Sequence, residues 1–442
     1  MVKKISSSFN AVSRREFLKI AGMATAGAGL SSVLPAGSMT AFAKAAQAAT
    51  VLDLYNDKTT WEANANKVGD AAGKAINIGF KSVPFPDTTS YQTTVRASLN
   101  SSKAPDLFTW WSGYRMEDLV KAGTLEDLSA LWDKYIKSGE YSAGIAGAYS
   151  FDNKVYAVPF NVAYWTVIYN KAVFEQNGLK PPTTWAEFMT LCATLKAKGI
   201  TPMAETIDGR WPSFILFEEL VVRSAGPDYW NGLMTGKNAY DDQKVQDALA
   251  VWKDMLGKGY FTDPAVTMGT AANDIIPQFK QGKVAMIPIG DWYAAPLIAA
   301  GIQPGVGYDA FIMPNITEGL PNVLFFETSP LIVSKNGAHK DQALKVVDWW
   351  MSADAQSQWC SLQGFSSPNS KVKLDNPSSN NVAKLIADGK YQALQRYWEA
   401  TPPDIVEFAV DQLSKFITNP DTAKDDLGAI QKKAEEVWKS RV

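Results

Sequence analysis

Several short stretches place aromatic rings beside carboxylates, amides or hydroxyls: Asn56-Asp57, Trp110-Trp111-Ser112, Asn161 to Trp165, Asp208-Gly-Arg-Trp211-Pro, Gly290-Asp291-Trp292 and Glu327-Thr-Ser329. An indole face packs on the C–H face of a polyhydroxylated molecule, while fixed carboxylates and amides hold its hydroxyls. Trp292, Trp211, Trp111 and Trp165 are therefore the candidate stacking platforms. Asp291, Glu327, Asp57 and Asn161 are the expected hydroxyl partners, and Asp208 and Ser112 stand beside them.

The same residue types also occur in glycoside hydrolysis, where two carboxyl groups act as acid and base. Glu218-Glu219 or Asp291 with Glu327 are the pairs available. Neighbouring residues on a helix point about 100° apart, so Glu218 and Glu219 do not face one substrate together; they are expected on a solvated or partly paired helix face. Other chemistries are poorly supplied. His339 is the single histidine and sits in the loop Asn336-Gly-Ala-His-Lys, where a surface or capping role is expected. The two cysteines, Cys192 and Cys360, lie far apart in apolar helical patterns and read as separate buried thiols. This set assembles neither a zinc cluster nor a nucleophile–histidine arrangement. No glycine-rich phosphate loop follows a strand. No metal or cofactor is expected. Trp252, Trp350, Trp359 and Trp438 fall on apolar helical faces and are assigned to packing.

The elements that must position these residues alternate between short apolar runs and helical patterns, the mark of α/β architecture. Strands are expected at residues 51–55, 76–80, 106–109, 155–158, 167–169, 284–289, 310–313 and 331–333. In open α/β sheets ligands bind beyond strand ends, and the candidates above follow or flank these runs. Thr184-Trp-Ala-Glu187 reads as a capping box opening a helix that buries Phe188, Leu191 and Leu195. Val245, Ala248, Leu249, Trp252, Met255 and Leu256 keep helical spacing. Beyond residue 340 the chain is expected to be almost wholly helical, including 385–398, 406–416 and 427–438.

The first 49 residues stand apart. Lys3 and Lys4 lead into Ser13-Arg-Arg-Glu-Phe-Leu-Lys19, then a weakly apolar run, then Ala41-Phe-Ala43 and Ala46-Gln-Ala48. This order is that of a cleavable signal peptide, cut after Ala43 or Ala48. The paired arginines resemble the twin-arginine export signal. Of the 43 basic and 45 acidic side chains, six bases and one acid fall in this segment, leaving the rest of the chain at −7. A mildly acidic domain without a basic face does not suit nucleic acid or an anionic membrane.

Several blocks resemble the bacterial extracellular solute-binding proteins that serve carbohydrate ABC importers. They are Ala104-Pro-Asp-Leu-Phe-Thr-Trp-Trp-Ser-Gly113, Tyr156-Ala-Val-Pro-Phe160, Tyr169-Asn-Lys171, Phe279-Lys-Gln-Gly-Lys-Val-Ala-Met286 with Gly290-Asp-Trp292, and Ala343 to Gln356 with Gly364-Phe-Ser-Ser-Pro368. The resemblance implies a periplasmic-binding-protein-like fold: two α/β lobes, mixed sheets flanked by helices, joined by a hinge, with the ligand in the interlobe cleft. It also implies that Trp211 and Trp292 line the cleft. It places the first lobe at residues 50–160 plus 324–362 and the second at 161–323 plus 363–442, with crossovers near Val158-Pro-Phe160, 322–325 and Gln363-Gly364. It further implies a periplasmic monomer that captures a sugar-like molecule by lobe closure and hands it to permease subunits. A secreted hydrolase, or a ligand sensor for a chemoreceptor or sensor kinase, are the alternatives.

Overall fold

The computed structural model describes residues 50–364, 366–387 and 389–441. The segment expected to act as a signal peptide, with its expected cleavage sites, lies outside these residues. A nine-stranded mixed sheet organises the chain. Strands β1 (Thr50–Asn56), β2 (Ile78–Pro84) and β3 (Leu107–Thr109) run parallel. A two-stranded hairpin, β4 (Ser150–Phe151) and β5 (Lys154–Val155), precedes the long β6 (Val158–Asn170), which is buried along all 13 residues. Then come β7 (Thr201–Met203), β8 (Val284–Gly290), β9 (Tyr308–Phe311), β10 (Val323–Val333) and β11 (Gln392–Gln395). The order across the sheet is β2-β1-β3-β10-β6-β8-β7, with β11 on β10 and β9 on β6.

The antiparallel pair β6 and β10 is the spine, and it feeds two hydrophobic cores. One core takes β1 to β3 and their helices, the residues Phe160, Val162 and Tyr164 of β6, Leu331 to Val333 of β10, and Trp350, Trp359 and Cys360. Leu374 and Val382 also join it. The other takes Trp165, Val167 and Ile168 of β6, strand β8, the helices from Lys171 to Gly257, and the C-terminal helices Pro403–Thr418 and Ala423–Lys439. Trp292 packs against both cores.

The capping box forms as expected: Thr184 Oγ1 accepts from the Glu187 amide, and Glu187 accepts from the Thr184 amide. Both cysteines are free and buried. His339 pairs with Asp106 at 2.9 Å in an exposed position.

Some expectations are corrected. The second strand starts at Ile78, because the helix Glu62–Ile76 continues to Ile76 and is ended by Asn77 in the left-handed conformation (φ 58°). Residues 155–158 form no single strand: Val155 closes the hairpin and Val158 opens β6. Asn161 to Trp165 and Glu327 to Ser329 lie within strands, since β6 and β10 are longer than the runs 167–169 and 331–333 suggest. The expected helix over 385–398 is broken: a helix ends at Ala387, β11 pairs in parallel with β10, and a short helix covers Tyr397–Ala400. Glu218 and Glu219 lie on no solvated face; the helix Ile215–Ala225 is buried on almost all sides, and Glu218 is 0% exposed.

Candidate functional site

Gly290 ends β8 directly opposite Trp165 of β6. A methyl group on Gly290 would stand 2.4 Å from Trp292 Nε1 and 3.2 Å from Trp165 Cε2, so only glycine lets these two indoles approach the strand end. Trp211 enters from a 3-10 turn, Trp211–Phe214, that follows the tight loop at Gly209 and Arg210. Trp165 meets Trp211 and Trp292 edge to face, with ring centres 6.1 and 6.4 Å apart, and Trp211 and Trp292 are tilted against each other at 6.1 Å. Trp165 is buried, whereas Trp211 and Trp292 are half-buried.

Arg396, which follows β11, lies flat on this aromatic wall. Its guanidinium carbon is 3.1 Å from the Trp165 ring centre and 4.6 Å from that of Phe214. It meets Glu218 Oε1 at 2.6 and 2.7 Å and Glu327 Oε2 at 3.3 Å. Glu218 Oε2 also accepts from the Tyr397 amide. Burial still pushes Glu218 up to about 7, because a guanidinium repays only part of the loss of water. Glu327 keeps 25% of its side chain exposed, and desolvation raises its pKa against the pull of Arg396 and Lys58.

Asp291 links three segments of this region. One carboxylate oxygen accepts from the Tyr164 amide at 3.2 Å; the other accepts from the amide and hydroxyl of Ser366. It thereby ties β6, the end of β8 and the segment after the helix Ala353–Gln363. Burial pushes it up to about 7. With these donors on both oxygens, Asp291 acts first as a strut.

The ends of β1 and β3 carry a second group. Asp57 accepts from Lys58 Nζ at 2.8 Å and from Thr88 Oγ1 at 2.9 Å, and the Lys58 ammonium lies 5.6 Å from the Trp111 ring centre. Trp111 packs edge-on against Trp110 and Tyr91. Lys58 reaches Glu327 electrostatically, so the two groups face one region. Ser112 is fully buried and accepts from Gln395 Nε2 at 3.2 Å. Asn161 is buried with its Oδ1 unpartnered, an acceptor available to a donor. Asp208 remains on the exposed side of its turn while Trp211 turns inward.

Arg396 and Glu399 were not among the residues singled out in the sequence. Glu399 is 4% exposed, its Oε2 has no hydrogen-bond partner, and burial beside Glu327 pushes it up to about 8. The available signal was the string Gln395-Arg-Tyr-Trp-Glu399, charged residues between aromatics just before the Pro402-Pro403 helix start. Among the described residues no group of three or more His, Cys, Asp and Glu could hold a metal ion. No described helix is long and apolar enough to cross a membrane.

Residues 56–357 match the bacterial extracellular solute-binding protein family. The chain belongs to this family. An ABC transporter extracellular-binding protein of Pyrococcus horikoshii is 24% identical over 388 residues, 84% of this chain and 85% of the relative. The multiple sugar-binding protein of Streptococcus mutans is 25% identical over 388 residues, 84% and 88% of the two chains. Among solved structures, the bacterial solute receptor AcbH, described as exclusive for β-D-galactopyranose, superposes with a TM-score of 0.76 at 21% identity, covering 88% of this chain and all of the receptor. A chitin oligosaccharide binding protein superposes at 0.74 with 19% identity, covering 88% and 100%. These likenesses establish a two-lobed solute-receptor fold. The family and these neighbours are binding proteins.

Proposed function

We propose that the protein is a periplasmic receptor that captures a sugar or sugar-like molecule, a mono- or oligosaccharide or a polyol, and delivers it to the permease of an ABC importer. The observation that carries this reading is the convergence of Trp165, Trp211 and Trp292 with Glu327 where two hydrophobic cores meet. Indoles for the C–H faces and buried polar atoms for the hydroxyls are what a carbohydrate site needs. The lobes are taken as 50–160 plus 324–362 and 161–323 plus 363–442, with β6 and β10 providing two crossings. A ligand touching both sides favours closure by its differential affinity, and the permease reads the closed form. Export by the twin-arginine route and a monomeric receptor complete the reading.

Hydrolysis is poorly served by the same geometry. Glu218 is held by Arg396 and a backbone amide, and Asp291 by three donors, so neither is free to attack or to protonate a glycosidic oxygen. The test is calorimetry against mono-, di- and oligosaccharides and polyols, with chemical analysis of the recovered ligand. A 1:1 complex with unchanged ligand is expected; cleavage products would overturn the binding reading.

A further inference from the structure

The site gathers more carboxyl groups than it supplies cations in direct contact with them. Glu218, Glu327 and Glu399 gather around one guanidinium, that of Arg396. The direct ion pairs of the neighbouring cations go to other acids: Arg223 pairs with Glu219 at 2.8 Å, Arg115 with Glu407 at 2.8 Å while lying 4.3 Å from the Trp398 ring centre, and Lys58 with Asp57 at 2.8 Å. Arg115 therefore acts on Glu399, and Lys58 on Glu327, only through space. Asp291 adds a further acid, electrostatically linked to Glu327. Glu399 Oε2 is buried with no hydrogen-bond partner.

The aromatic wall beside these acids already holds a cation. Arg396 lies 3.1 Å from the Trp165 ring centre with its edge on Glu218 and Glu327. Indole faces attract cations, most strongly where water is excluded. The half-buried rings of Trp211 and Trp292 continue this wall beside Trp165.

Resting on the carbohydrate reading above, we infer that the natural ligand bears a basic nitrogen, as in an amino sugar or a glycosylated amine, whose ammonium group is received by Glu327 and Glu399 against the indoles of Trp211 and Trp292. Burial and mutual repulsion raise these carboxyl groups, Glu399 to about 8, so protons take up the excess charge. A ligand ammonium competes for that same place, and a neutral hydroxyl does not. An N-acetylated sugar loses the charge and gains bulk, so it forfeits the contact.

The experiment is calorimetry of the purified protein with D-glucosamine, D-galactosamine and a chitosan disaccharide, each beside its hydroxyl and N-acetyl counterpart. The amino form is expected to bind roughly tenfold or more tightly than both counterparts, the scale of one desolvated cation contact. Glu399→Gln should erase that preference, bringing the ratio of amino-sugar to neutral-sugar affinity to within about twofold of one, whatever the absolute affinities become. Glu327→Gln, at a partly exposed side chain, repeats the test should the buried variant fold poorly. Neutral sugars binding as tightly as the amino sugars would overturn the inference and leave the carbohydrate reading standing. Failure of every saccharide to bind would overturn both.

Discussion

Gly290→Ala tests the site from a residue that is not itself a proposed ligand contact. Gly290 has φ −66° and ψ 147°, a conformation alanine adopts freely, so the backbone contributes no strain. The added methyl would lie 2.4 Å from Trp292 Nε1, 2.6 Å from Trp292 Cδ1 and 3.2 Å from Trp165 Cε2. Comfortable carbon contacts lie near 3.5–4.0 Å, so the Trp292 indole must retreat by about 1 Å. Overpacking of this kind costs about 1–3 kcal/mol of stability. If Trp292 stacks the ligand, its displacement should weaken binding by about 2 kcal/mol, roughly 30-fold. Calorimetry gives the affinity and urea unfolding gives the stability. A double-mutant cycle with Trp292→Ala separates the causes: once the indole is gone, Gly290→Ala should add little further loss of affinity. A Gly290→Ala protein that is destabilised yet binds with unchanged affinity would refute the stacking argument and return Trp292 to a packing role.

Glu205 gives a pH prediction with a definite sign. Its carboxyl accepts from Trp252 Nε1 at 2.8 Å inside the second core, and burial pushes it up to about 8 from an ordinary 4.5. The unfolded chain therefore releases this proton first, and stability falls as pH rises from about 4.5 to about 8, by at most about 5 kcal/mol from this group. Glu218, Glu399 and Asp291 act in the same direction. Glu205→Gln keeps an acceptor for Trp252 and should flatten the urea-midpoint profile over that range; an unchanged slope would contradict it. Gly113 sits at φ 62° with Glu399 O only 2.0 Å from where a Cβ would be, so Gly113→Ala should lower stability by about 3 kcal/mol or more, read from denaturant unfolding. Arg396→Met leaves Glu218 buried without its guanidinium and should cost about 3–5 kcal/mol at pH 8, with a smaller loss at pH 5, where Glu218 is protonated.

Local signals carried much of this structure into view. The Thr184–Glu187 capping box and the helical spacing of Val245 to Met255 predicted their helices because those rules act over a few residues. Trp211 and Trp292 could be named because each stands at a glycine turn or a strand end, and Trp165 because it follows the short run around Val158, although it lies inside the longer β6. Arg396 could not. Its place depends on β11 pairing with β10, a contact between residues 392–395 and 323–326 that periodicity does not encode. Glu218 and Glu219 are paired, with Arg396 and Arg223, but not on a solvated face: Ile215, Leu216, Phe217, Leu220, Val221 and Val222 surround the helix with apolar residues, the pattern of a helix buried on all sides. The ties of Asp291 to Tyr164 and Ser366, across 127 and 75 residues, depend on fold contacts that periodicity does not encode.

The most direct measurement of the central claim is a calorimetric titration of the wild-type and Trp292→Ala proteins with the tightest-binding saccharide, beside their unfolding curves. The account predicts a 1:1 complex in the wild type, with unaltered sugar recovered, and an affinity loss of roughly 30-fold or more in the folded variant. Equal affinity in the two folded proteins would contradict it.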